Sequence, residues 1–141
     1  MGLGCPQGEF VYTSFVMSNY RQILLGENGR SLLKSAKWCD GFGSKLRGFT
    51  FRRHLGESDG LVLVEKKDSR VSTAIHMLFV SFDLGVIWVN DTGEVVDKVL
   101  AKPWRLSYTP QTAARYVIEL HPSLLEEVEV GDHIKFIEKD K

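Results

Sequence analysis

Cysteine is scarce in this chain, since Cys5 and Cys39 are the only two and no Cys-x-x-Cys pair occurs. Two cysteines are too few for a disulfide framework, and zinc sites are usually built from closely spaced cysteine and histidine ligands. We therefore predict no metal site and no cofactor. Both thiols are expected to be reduced, with Cys39 packed as a small apolar side chain.

An excess of charge of one sign and long apolar runs are also lacking. Lys plus Arg is 18 and Asp plus Glu is 18, so the net charge is zero. Because nucleic acids attract proteins through a positive field, this balance disfavours a nucleic-acid partner. No apolar run approaches the roughly 20 residues that a bilayer span needs, and no charged and apolar leader precedes Cys5. We predict a cytoplasmic chain without membrane contact.

The composition that remains is typical of a soluble globular domain. The chain has 141 residues, of which 43% are hydrophobic and 26% are charged. This length fits one domain that can fold without a metal or a disulfide. Residues 1–16 have few charges and no clear period. We predict that they are a disordered or non-native extension and that residues 17–141 form a single β-rich domain.

Turn signals and apolar runs divide the domain into short strands. Asn28-Gly29 predicts a hairpin between residues 22–25 and 31–33, and residues 90–93 predict a second one. Further strands are predicted from apolar runs bounded by polar residues. They are residues 60–64, 71–75, 84–89, 94–100, 114–120 and 134–137, with 84–89 at the centre of the sheet.

Helix signals are few. Ser44 predicts a short helix over residues 45–48, and Pro122 predicts a second helix of one or two turns. Pro103 and Pro110 bracket an irregular loop. The whole pattern predicts an α+β, mainly β fold: a compact barrel- or roll-like antiparallel or mixed sheet with one or two short helices.

An ordered set of phrases resembles the domain of unknown function 192 family, over residues 30–137. The phrases are Leu46-Arg47-Gly48, Phe51-Arg52, Asp59-Gly60-Leu61-Val62-Leu63, Ile75-His76, Phe82-Asp83-Leu84, Val86-Ile87-Trp88-Val89, Gly93-Glu94-Val95-Val96, Pro103-Trp104-Arg105, Ala114-Arg115-Tyr116-Val117-Ile118-Glu119-Leu120 and Gly131-Asp132.

The resemblance implies a small, single β-rich domain, and it brings no established activity, substrate or cofactor. It also implies an acidic residue where Gly85 stands in this chain. If that acid belongs to a site, this chain has lost it or has moved it to Asp83.

His76 is the first candidate for chemistry. A carboxylate beside an imidazole can orient it and raise its basicity, which prepares a general base. Asp83 and Glu119 are candidate partners, and Asp97 could serve as well. The alternative is a half-buried strand histidine that bonds a backbone carbonyl. No nucleophile accompanies it, because Ser44 lacks the flanking pattern of a nucleophile elbow and Cys39 lacks a visible partner.

Arginine and aromatic residues form the second set of candidates. Arg47 and Arg52 are interleaved with phenylalanines, and Trp104 and Arg105 lie in the predicted loop. Arginine matches carboxylates and phosphates, and aromatic faces stack on bases or sugars. The alternatives are a solvated arginine cluster and a tryptophan that closes one end of the barrel. We predict that these four residues bind a ligand.

Three functions are compatible with these residues. The first is a binding module that recognises an anionic or sugar-like ligand, or an acidic protein segment. The second is a hydrolase that uses His76 as general base. The third is a structural domain that docks another protein. The partner is thus a small ligand or a protein. The neutral net charge slightly favours self-association.

Overall fold

Seven short strands form wherever an apolar run is bounded by turn residues. The computed structural model describes residues 20–39, 55–77 and 80–139. The strands are β1 Tyr20–Leu25, β2 Arg30–Cys39, β3 Gly60–Ser69, β4 Leu84–Val89, β5 Val95–Ala101, β6 Ala114–Leu120 and β7 Ile134–Lys139. One short 3₁₀ helix, Pro122–Glu127, is the helix within these ranges.

All seven strands belong to one mixed sheet with the order β5-β4-β6-β3-β2-β1-β7. Neighbouring strands are antiparallel except β2 and β3, which pair in parallel. The outer strands β5 and β7 meet at one end, where Glu94 bridges His133. The sheet therefore curves into a half-barrel, which confirms the predicted β-rich, barrel-like class with a short helix.

The sheet has a core on each face, because successive side chains of a strand point to opposite sides. In β4, which lies between β5 and β6, all six residues are buried. Ile87 and Val89 belong to an inner cluster to which all seven strands contribute. Val86 and Trp88 belong to an outer cluster that packs under the segments around Ile75, Met77 and Tyr108. The loops that cover the outer cluster are the ones that carry the candidate site.

Both predicted hairpins are present, and their turns depend on glycine. In the first turn Gly26 and Gly29 have φ of 80° and 70°, so the left-handed backbone is supplied at the two ends of the turn and not by Asn28. In the second turn Gly93 has φ of 94°, and Asn90 Oδ1 accepts from the amides of Thr92 and Glu94 at 3.0 Å. These hydrogen bonds to the Asn90 side chain stabilise the turn that joins β4 to β5.

Residues 71–75 do not form the predicted strand. Ser69 Oγ accepts from the amide of Ser72 at 3.0 Å, and the Thr73 hydroxyl donates to the Ser69 carbonyl at 2.6 Å. Such local bonds compete with strand pairing, and they turn the chain after β3. Only Ile75 pairs with another segment, at Tyr108. The helix predicted over 45–48 and the extension predicted over 1–16 lie outside the described residues.

Cys39 belongs to the outer cluster, as predicted for a small apolar side chain. It is disulfide-bonded, so the expectation of a reduced thiol at this position is wrong. The other cysteine of the chain, Cys5, lies outside the described residues. The cytoplasmic location, which was inferred from the lack of a leader and of an apolar span, stays a prediction.

Candidate functional site

Two segments outside the sheet pair with each other over the outer cluster. Ile75 and Tyr108 exchange backbone hydrogen bonds of 2.9 and 2.8 Å. Further along, the Met77 amide donates to the Arg105 carbonyl at 2.8 Å, and the Trp104 amide donates to the Met77 carbonyl at 2.7 Å. The Tyr108 hydroxyl accepts from the Lys102 amide at 2.8 Å. The backbone of the loop predicted around Trp104 is therefore fixed at both ends.

Trp104 has an unusual backbone and an exposed side chain. Its φ is 67°, and it is the one residue other than glycine with positive φ among the described residues. A non-glycine residue in this conformation costs on the order of 1 kcal/mol, and such residues cluster at functional sites. Its side chain is nevertheless 55% exposed. The two hydrogen bonds to Met77 hold the strained backbone in place.

Arg105 differs from the other arginines of the described residues. Arg21, Arg30, Arg70 and Arg115 each donate a hydrogen bond to the protein. The Arg105 side chain donates none to any described residue, and its guanidinium lies over the Tyr108 ring, 5.3 Å from the centroid. A cation–π contact holds a guanidinium near a ring without using its hydrogen-bond donors. These donors can bond an acceptor from outside the chain.

Leu106 completes an exposed run with Trp104 and Arg105, and its side chain is 75% exposed. We call these three consecutive residues the Trp104 ledge. Lys102, just before the ledge, pairs with Asp83, with 3.1 Å between Nζ and Oδ2. This pair neutralises Lys102, so Arg105 provides the uncompensated positive charge of the ledge.

His76 lies between Ile75 and Met77 on the segment that pairs with the ledge. Ile75 and Met77 are buried in the outer cluster, whereas His76 is only half-buried. The pairing thus brings His76, Trp104 and Arg105 into one region. Its role as a general base stays a prediction.

The two acids proposed as partners of His76 have different surroundings. Asp83 lies at the surface and forms an ion pair with Lys102, and its role as a partner of His76 stays a prediction. Glu119 is fully buried at 0% exposure, on β6 opposite Leu61 of β3 and Val86 of β4. Its role as a partner of His76 also stays a prediction.

Gly85, where the family resemblance implied an acid, lies on the inner side of β4. A Cβ at this position would be 2.8 Å from Leu120 Cδ1 and 3.1 Å from Leu125 Cγ. Both neighbours are apolar, and they leave no space for a carboxylate. Asp83 is exposed to solvent, so it does not place a carboxylate on the inner side of β4 where the resemblance implied one.

Arg47 and Arg52, the other two predicted ligand-binding residues, lie outside the described residues. Sequence reasoning missed Leu106, Lys102 and Tyr108. Leu106 could have been found, because it directly follows Trp104-Arg105 in a loop that cannot bury it. The role of Tyr108 as a platform for Arg105 had no sequence signal, since it depends on the turn of the loop between them.

A second polar cluster lies away from the ledge, where β6 begins. Arg115 donates to the Glu65 carbonyl at 2.7 Å and to Asp91 Oδ1 at 2.7 Å, and its guanidinium lies over the Tyr116 ring. The hydrogen bond to Asp91 raises the pKa of the Arg115 guanidinium. Because its donors are occupied within the chain, this arginine has a structural role.

Metal and membrane features are absent from residues 20–39, 55–77 and 80–139. These residues contain no group of three or more His, Cys, Asp or Glu side chains arranged to hold a metal ion. Nor is any helix of this part of the chain long and apolar enough to cross a bilayer.

The fold and the ledge define a small half-barrel domain with one exposed loop of aromatic, cationic and apolar side chains. Residues 25–136 match the model of the family DUF192, Uncharacterized ACR, COG1430. The chain belongs to this family, which confirms the resemblance found in the sequence.

Curated relatives come from archaea and carry the family name UPF0127. The UPF0127 protein of Thermococcus kodakarensis is 37% identical over 110 residues, which are 77% of this chain and 68% of the relative. The UPF0127 protein of Pyrococcus furiosus is 31% identical over 110 residues, which are 77% of this chain and 91% of the relative. Neither name states an activity.

Two crystal structures share the fold. One is a protein from Sinorhizobium meliloti that is described as a candidate transcription regulator. It is 16% identical in sequence and superimposes with a TM-score of 0.73. The aligned region covers 86% of this chain and 96% of the other protein. The other, from Novosphingobium aromaticivorans, is a protein of unknown function with a TM-score of 0.68 at 15% identity, covering 91% of this chain and 99% of its own. At these identities the likeness shows the fold alone.

Proposed function

We propose that this domain is a binding module whose Trp104 ledge recognises an anionic or sugar-like ligand or an acidic protein segment. The observation that carries the proposal is the state of Arg105. It is the one arginine of the described residues whose side chain donates no hydrogen bond within them. Its guanidinium lies over the Tyr108 ring, and the residue before it in the chain is the exposed Trp104. Tryptophan and arginine are the residues most enriched where binding energy concentrates.

Two further observations support recognition over a purely structural role. A tryptophan that closes a core is expected to be buried, whereas Trp104 is 55% exposed. The strained backbone of Trp104 costs free energy that a surface loop without a function has no reason to retain. Arg47 and Arg52 enter the proposal as predicted contributors.

The backbone of the ledge also supports binding. Trp104 and Arg105 are hydrogen-bonded to Met77, and Tyr108 further along the loop is hydrogen-bonded to Ile75, so a ligand would not have to order the loop. Such preorganisation lowers the entropy cost of association.

The test is an NMR titration of ¹⁵N-labelled protein with glucuronate, sucrose, inorganic phosphate and a short aspartate-rich peptide. The indole signal of Trp104 is assigned by its loss in Trp104→Phe. We expect at least one probe to shift the Trp104 indole and Arg105 Nε signals, and Arg105→Gln to weaken that response. The matched control is Lys67→Gln, which removes a positive charge from an exposed position on β3. If no probe shifts the ledge signals, or if both variants weaken the response equally, the proposal is wrong.

A further inference from the structure

We infer that the partner of the Trp104 ledge is a protein segment that presents an acidic side chain next to a large apolar one, and not a sugar or a small anion. The inference rests on the proposed function and names its partner class. It depends on the exposure of the ledge side chains, on the charge of Arg105 and on the apolar Leu106 beside it.

Exposure is the first argument. Trp104 and Leu106 are 55% and 75% exposed, so they project from the surface. Sites for small ligands are concave and bury most of the ligand. Apolar side chains that project are instead buried by a larger partner that covers them, as in the apolar centre of a protein interface. The shape of the ledge therefore favours a macromolecule.

Charge is the second argument. Asp83 already neutralises Lys102, which leaves Arg105 as the positive group of the ledge. The planar guanidinium holds its donors in a fork that matches the two oxygens of a carboxylate. A complementary partner therefore offers aspartate or glutamate opposite Arg105.

Leu106 is the third argument, because it separates protein segments from the other anionic and sugar-like ligands. A phosphate has no apolar group, and a sugar offers only small C–H faces, so neither gains as much from a leucine beside the arginine as an apolar side chain does. A peptide can place an apolar side chain on Leu106 while its neighbouring carboxylate reaches Arg105. Burial of an apolar side chain contributes free energy in proportion to the area removed from water.

The experiment compares four probes on the full chain by NMR titration. The first is a blocked peptide in which aspartates flank a leucine and a phenylalanine, and the second has asparagine in place of each aspartate. The third has alanine in place of the leucine and phenylalanine, and the fourth is glucuronate. The ledge variants are Arg105→Gln and Leu106→Ser. The control variant is Val130→Ser, since Val130 is another exposed apolar residue, at 58%, in the turn before β7.

We expect the acidic, apolar peptide to bind about tenfold more tightly than the asparagine peptide, because the bond to a charged acceptor is lost. The alanine peptide is expected to bind about fivefold more weakly. Arg105→Gln and Leu106→Ser should each weaken binding of the first peptide by similar factors. Val130→Ser should bind this peptide as tightly as the unmodified protein does.

The outcomes separate the two proposals. If glucuronate shifts the ledge signals and the first peptide does not, the proposed function stands and the partner class is wrong. Binding of the peptide that is insensitive to Leu106→Ser, or equal for the aspartate and asparagine versions, also contradicts the partner class. If none of these probes shifts the ledge signals, and sucrose and inorganic phosphate do not shift them either, both proposals fail.

Discussion

The two faces of the curved sheet differ in the residues that they contain and in what covers them. On the inner face every strand contributes apolar side chains, and the cluster contains no charged residue. The outer face carries the fully buried carboxylate of Glu119 on β6. The loops that cover this face include the strained backbone of Trp104 and the Arg105 side chain, which donates no hydrogen bond within the described residues. The inner face is explained by packing alone. Features that packing does not explain are concentrated on the outer side, which is where we place function.

The inner face should tolerate the least change, and Gly85→Asp tests this most severely. The new Cβ would be 2.8 Å from Leu120 Cδ1, and the carboxylate would be buried among leucines. We expect a loss of about 3 kcal/mol in the free energy of unfolding. Urea denaturation measures it, with Gly85→Ala as the steric control. An unchanged midpoint for the aspartate variant would show that the inner face can hold an acid.

Two tryptophans give a matched test of buried and exposed positions outside the inner face. Trp88 is buried and its Nε1 donates to the Thr73 carbonyl at 2.8 Å. Trp88→Phe should cost about 2 kcal/mol through the cavity and the lost hydrogen bond. Trp104→Phe makes the same change on the ledge and should alter stability by less than about 0.5 kcal/mol. Equal losses in thermal or urea unfolding would contradict the exposure of Trp104.

Substitutions of two arginines compare the polar cluster at the start of β6 with the Trp104 ledge. Arg115→Met removes two hydrogen bonds, to Glu65 and Asp91, and should cost about 1 kcal/mol. Arg105→Met removes only a cation–π contact with Tyr108 and should cost less than about 0.5 kcal/mol. Parallel urea curves for the two variants are the measurement. A larger loss for Arg105→Met would mean that this arginine is structural.

The smallest expected effect concerns the backbone of Trp104. Glycine adopts positive φ without steric cost, whereas alanine retains the strain. Trp104→Gly should therefore be more stable than Trp104→Ala by about 0.5–1 kcal/mol, the reverse of the usual order. Thermal unfolding of both variants measures the difference. If alanine is the more stable replacement, the φ of 67° does not describe the protein in solution.

Much of the fold could be predicted from sequence because its signals are local. The hairpin turns at Gly29 and Gly93, the buried strand β4 and the short helix at Pro122 each depend on neighbouring residues. The strand predicted over 71–75 was wrong, since Ser69 and Thr73 form local hydrogen bonds whose geometry the apolar pattern does not show.

The candidate site was only partly predictable. Its residue types were visible as Trp104-Arg105 in a proline-bracketed loop. The pairing of Ile75 with Tyr108 and the stacking of Arg105 were not, because they join residues whose contact depends on the folded path of two loops.

By itself, the amino-acid sequence determined the class of the fold, the strand and turn segments, the family and the loop in which tryptophan and arginine lie. These follow from periodicity and from local conformational preferences, which act over a few residues. The tertiary structure decided which arginine has its donors occupied and which does not. It also placed Asp83 with Lys102 and Glu119 in the interior. Those outcomes depend on long-range packing, because burial and hydrogen-bond partners exist only once distant segments meet.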